Sequence, residues 1–178
     1  MNNLLVILLA TVVFVSASAA TAKRPKHTMD FNHFWTWSEI DHYLEDLLDE
    51  FPNLVFEETY GRTSEGREIE AFVIRNGGSS GAARPTIIIE SGLRAREWLG
   101  PMAAMYIIHE LVEHPYNFRD IIDNVDLVFI PVVNIDGYVF SHTAGNRNWS
   151  KNRRPSGAGC FGVDLDRNFQ FNLHRLSQ

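Results

Sequence analysis

Cysteine is almost absent: Cys160 is the only one in 178 residues. No internal disulfide is available, so the fold must rest on a packed core or on a bound ion. The lone thiol reads as a free group, as half of a bridge to another chain, or as one that has lost its partner. Long apolar runs are absent after residue 15, which excludes a later helix across a bilayer, where about 20 apolar residues are needed. An excess of basic residues is also absent: the formal charge is −6, with no basic run interleaved with aromatics. Nucleic acid is thereby excluded as the main partner. There is no internal repeat and no low-complexity tract.

What is there begins with an export signal. Leu4–Val15 is apolar and uncharged, and it is followed by Ser16-Ala17-Ser18-Ala19-Ala20. This predicts a secretory signal over residues 1–19, cleaved near Ala19 or Ala22, and a secreted chain without a membrane anchor. Residues 20–28 form a linker that is basic and extended over 23–28, and the domain runs over 29–178.

Within the domain, Thr36 and Glu39 make a capping-box pattern. It opens a helix over about 37–50 with Trp37, Ile40, Tyr43, Leu44, Leu47 and Leu48 on one face. Residues 54–60 and 68–75 read as a hairpin, followed by a loop from Gly77 to Pro85. Ile87-Ile88-Ile89 predicts a strand over 86–90 buried on both faces. A helix is predicted from about Glu97 to His114, a second buried strand over 126–133, and a turn at Asn134-Ile135-Asp136-Gly137-Tyr138. Residues 142–162 read as a long loop, and a further element begins at Phe161–Phe171. Helices alternating with buried strands give an α/β domain, a mixed β-sheet flanked by helices.

Chemistry gathers at Gly92-Leu93-Arg94-Ala95-Arg96-Glu97-Trp98, where a strand hands over to a helix. Sites in open α/β sheets form at such carboxyl ends. The segment resembles the Gly-Ile-His-Ala-Arg-Glu-Trp motif of the zinc metallocarboxypeptidases of the carboxypeptidase A/B family, peptidase family M14. Four further stretches are similar to motifs of that family, in the same order. They are Tyr60–Arg67, the Asn134–Tyr138 turn, Arg147-Asn148-Trp149-Ser150-Lys151-Asn152-Arg153, and Gly162-Val163-Asp164-Leu165-Asp166-Arg167-Asn168-Phe169.

The resemblance implies the N-terminal part of the zinc-carboxypeptidase fold. It also implies a hydrolase that removes C-terminal residues from peptides by means of a zinc-bound water, and peptide or protein C-termini, or a protein inhibitor, as partners. Its residue-by-residue consequences are mixed. Glu97 falls at a metal-ligand position. Arg94 falls where the family has its first histidine ligand, and a guanidinium has only donors and stays protonated. Arg94 is expected to pair with Glu97 and place a fixed positive charge roughly where the metal would sit. Ser150 stands for the arginine that polarises the scissile carbonyl, so no catalytic residue is retained. Arg96, Arg147 and Arg167 fall at substrate-binding positions. Asp166 replaces an asparagine there and is expected to neutralise Arg167. The third ligand, the substrate tyrosine and the general base would lie beyond residue 178, as would the partner of Cys160. The expectation is a truncated family member with zinc binding in doubt and activity lost or strongly impaired. The alternatives are a non-catalytic secreted binder of peptide C-termini or of an inhibitor, and a truncated gene product with no stable fold.

His33, His42, His109, His114, His142 and His174 are read as exposed or core-satisfied imidazoles rather than replacement ligands. Trp98, Met102, Met105 and Tyr106 are read as core. Asn148-Trp149-Ser150 is a glycosylation sequon.

Overall fold

The computed structural model describes residues 28–77 and 84–169. The predicted export signal, all but the last residue of the predicted linker, most of the loop after Gly77, and His174 lie outside them.

Helix α1 (Trp37–Glu50) starts where its cap predicts. Thr36 Oγ1 accepts from the Glu39 amide, while the Glu39 carboxylate accepts from the Thr36 amide at 2.7 Å. Two donors at the start of the helix are thereby satisfied. Ile40, Tyr43 and Leu47 are buried, at the three- and four-residue spacing of one helical face. Strands β1 (Val55–Arg62) and β2 (Glu68–Ile74) form the expected antiparallel hairpin, with a bulge between Thr59 and Gly61. Strand β3 (Thr86–Glu90) and helix α2 (Leu99–Glu113) follow. After a 3₁₀ turn over Pro115–Phe118 come α3 (Arg119–Ile122), β4 (Asp126–Ile130) and α4 (Ile135–Ser141). A two-stranded ribbon, β5 (Pro155–Gly157) with β6 (Cys160–Phe161), interrupts the predicted loop. A 3₁₀ turn over Leu165–Arg167 completes the described chain.

The four-stranded sheet has the order β1-β2-β4-β3. β2 and β4 are antiparallel, whereas β4 and β3 are parallel, from Thr86↔Asp126 to Glu90↔Ile130. The sheet is therefore mixed, as expected. Its main core joins Ile40, Tyr43 and Leu47 to Met105, Ile108 and Val112 of α2 and to Phe72, Ile74 and Phe129 of the sheet. Each of these large side chains stabilises the fold by roughly 2–5 kcal/mol relative to alanine.

Two expectations are corrected here. Among the described residues β3 is an edge strand rather than a strand buried on both faces. Ile87 and Ile88 are 48% and 61% exposed, and only Ile89 packs against the core. A β-branched run is compatible with either position, because strand order, not local composition, decides which flank is covered. Secondly, Asn134–Tyr138 is not a turn but the opening of α4. Asn134 caps it, its side chain accepting from the Gly137 amide at 3.1 Å. Asn, Asp and Gly favour helix N-caps as well as turns. The preceding strand ends at Ile130 rather than Val133, because Pro131 has no amide to extend the ladder.

Candidate functional site

Gly92–Trp98 leaves the carboxyl end of β3 and is held from four sides. The Ser91 amide donates to Ile130 O at 3.0 Å, and the Val133 amide donates to Ser91 O at 2.9 Å. Asn134 donates through Nδ2 to Leu93 O at 3.0 Å. Ala95 is fully buried, its amide donating to Ser150 O at 3.1 Å and its carbonyl accepting from Ser141 Oγ at 3.0 Å. Gly92 has φ +70°, and a Cβ there would lie 3.1 Å from Val132 Cα. Glycine is required for both reasons.

The turn sets Arg94 beside Glu97. Arg94 Nη1 donates to Glu97 Oε1 at 3.1 Å, the expected pair. Its second arm is unexpected: Nη2 donates to Asp166 Oδ2 at 2.6 Å. One guanidinium thus bridges two carboxylates. The hydrogen bond to Glu97, and then the charge of Asp166, hold it more firmly protonated than a free arginine. All three side chains are partly exposed, so salt screens the pairs. They face a shallow cleft of about 270 Å³, also lined by Ser91, Gly92, Leu93 and Gly100.

Asp166 therefore does not neutralise Arg167. Arg167 is 73% exposed and touches only its neighbour Asp164, at 3.6 Å, among the ion pairs of the described residues. Arg147 is engaged elsewhere: its guanidinium lies 3.7 Å over the Trp98 ring and donates to Arg96 O at 2.7 Å. The other face of Trp98 stacks on His142 at 3.9 Å. Burial, and then the Arg147 charge, lower the pKa of His142, favouring the neutral ring. Arg153 is built into an aromatic wall, 3.8 Å from the Phe140 ring and 4.5 Å from that of Phe161. The Arg96 side chain is exposed, and Ser150 is half-buried with its carbonyl on Ala95. Asn148 of the sequon is exposed.

Two arrangements were not foreseen. Asp136, 3% exposed, accepts from Arg67 Nη1 at 2.6 Å and from the Glu65 amide at 2.9 Å. It ties the β1–β2 turn to α4, a contact across 71 residues that no local signal announces. His109, Glu110 and His114 also converge at the far end of α2. His109 and His114 are five residues apart, a spacing that helical periodicity does not pair.

Residues 40–177 match the zinc carboxypeptidase family. The chain is 35% identical over 146 residues to carboxypeptidase B of Astacus astacus, covering 81% of this chain and 47% of that protein. It superimposes on the crystal structure of carboxypeptidase A from Helicoverpa armigera with a TM-score of 0.74 at 38% identity, covering 86% of this chain and 38% of that one. It also matches bovine thrombin-activatable fibrinolysis inhibitor in complex with tick carboxypeptidase inhibitor, with TM-score 0.66 and 25% identity over 78% of this chain and 44% of that one. The chain thus spans less than half the length of each of these relatives. The mixed sheet and its flanking helices have the carboxypeptidase fold, and this chain belongs to the zinc carboxypeptidase family.

Proposed function

We propose that this chain is a secreted member of the family that does not carry out zinc-dependent removal of C-terminal residues from peptides. The observation that carries this reading is the Arg94 bridge to Glu97 and Asp166. Zinc takes imidazole, thiolate and carboxylate ligands. Among the residues of the Gly92–Trp98 segment, only Glu97 is a ligand type, and its carboxylate already holds a cation of fixed charge. The donor set does not fit zinc. Ser150 has no positive charge with which to stabilise a developing oxyanion, a contribution typically of several kcal/mol. The decisive measurement is release of C-terminal residues from peptides by the purified chain, with and without chelator. No release above buffer is expected; chelator-sensitive release would overturn the reading.

A second reading, retention of C-termini without turnover, is favoured by the exposure of Arg167. Asp166 is occupied by Arg94, which weakens its repulsion of an incoming carboxylate. A peptide or inhibitor C-terminus is the partner such an arginine suits, with exposed Arg96 as a further contact. Titrating the chain with one peptide as the free acid and as the amide tests this. Tighter binding of the acid, lost in Arg167→Ala, is expected; equal affinities for acid and amide rule it out.

A further inference from the structure

His109, Glu110 and His114 each place one ligand atom within 4.8 Å of those of the other two. The spacing explains why this is unusual. Residues five apart on a straight helix point about 140° away from each other at 3.6 residues per turn. His114, however, is the C-cap of α2, with φ −126° and ψ 49°, outside the helical region. This departure folds its side chain back, and the two imidazole rings lie edge to face with centroids 6.0 Å apart. Glu110 sits one turn before His114, and its carbonyl accepts from the His114 amide at 3.1 Å.

The His109 ring is already oriented. Its Nδ1 lies 2.8 Å from the hydroxyl of Tyr43, a residue 1% exposed in the core. In the tautomer whose Nδ1–H donates to the Tyr43 oxygen, Nε2 is the nitrogen left to coordinate. A ligating histidine whose other nitrogen is fixed by a polar partner is the usual arrangement at metal sites.

The electrostatics favour a cation. A helix C-terminus carries about half a negative charge. The last turn of α2 has no basic residue, and it contributes Glu110 and Glu113.

We propose that His109, Glu110 and His114 bind a divalent metal ion of borderline softness, with Zn(II) as the fitting choice. Two imidazoles and one carboxylate are zinc ligands, and they leave a fourth position for water or a further donor. The site lies at the opposite end of α2 from Glu97, about 15–23 Å along the helix axis from Leu99 at 1.5 Å per residue. Its role is to close the C-terminal turn of α2, joining His114 of the cap to His109 and Glu110 of the helix.

The test is calorimetric titration of the purified chain with zinc chloride, alongside His114→Ala, Glu110→Gln and Glu97→Gln. Tenfold or greater weakening is expected in His114→Ala and Glu110→Gln, with unchanged affinity in Glu97→Gln. Imidazole resonances of His109 and His114 should shift on saturation. His114 is exposed, so its replacement leaves the core intact; an unchanged far-ultraviolet spectrum verifies this. Absence of zinc binding by the unsubstituted chain would overturn the proposal. So would binding that survives His114→Ala and is lost in Glu97→Gln.

Discussion

Arg94 Nη2 lies 2.6 Å from Asp166 Oδ2, joining two positions 72 residues apart in the sequence. Both lie in stretches that resemble motifs of the family, where the resemblance implies a histidine and an asparagine. Arg94 thus has a distant acidic partner, and the same guanidinium takes Glu97 as well.

Arg94→His should release Glu97 and offer an imidazole beside it. In a His114→Ala background, this substitution is expected to confer weak zinc binding that Glu97→Gln abolishes. Titration calorimetry reads it directly. No gain in binding would mean that Arg94 is not what keeps zinc from this segment.

Asp136→Ala should destabilise the fold by roughly 1–2 kcal/mol, the cost of losing two hydrogen bonds to a buried carboxylate whose donors are only partly buried. The Glu65 amide and Arg67 both lose their partner. Arg67 is about a third exposed, so water recovers part of the loss. Asp136→Asn keeps one acceptor and should cost less. Urea midpoints decide the matter, and an unchanged midpoint for the alanine variant refutes the assigned role.

Gly137→Ala should be more damaging than its single methyl suggests. The added Cβ would meet Lys151 O at 2.5 Å and the Asn134 side chain at 2.6 Å. Both neighbours are fixed in place, one by the chain and the other by capping α4. A loss of about 1–3 kcal/mol is expected from overpacking. Thermal unfolding of the variant at the wild-type temperature would contradict it.

Glu70 gives the stability a pH dependence. Burial, and then the Glu57 charge, push its carboxyl up to about 7 from an ordinary 4.5. Between these values the folded chain holds a proton that the unfolded chain has released. Stability from this group is full below pH 4.5 and is lost as pH rises through about 7. Glu70→Gln should therefore stabilise the protein above neutral pH and have little effect near pH 4. Denaturation midpoints across that range test the sign; a pH-independent difference between the two proteins would show that Glu70 is not the group responsible.

The elements legible in the sequence are those fixed by near neighbours. Thr36 and Glu39 announce α1 because a capping box closes within four residues. The β1–β2 hairpin is legible because its turn is short. Motif spacing also locates the Arg94–Glu97 pair. What escapes depends on elements meeting from afar. The order β1-β2-β4-β3 leaves Ile87 and Ile88 on a flank that their own composition does not specify. Asp166 turns to Arg94 rather than to adjacent Arg167 because the fold brings a more favourable cation within reach. His109 and His114 meet only because the helix ends between them.

The two rims of the sheet are unlike, and this limits how copies of the chain can join. The β1 rim is bulged near Thr59 and carries Glu57 and Glu58, charges and a distortion that disfavour strand addition. The β3 rim is short, regular and flanked by Ile87 and Ile88. A further strand would therefore add at the β3 rim rather than at the β1 rim.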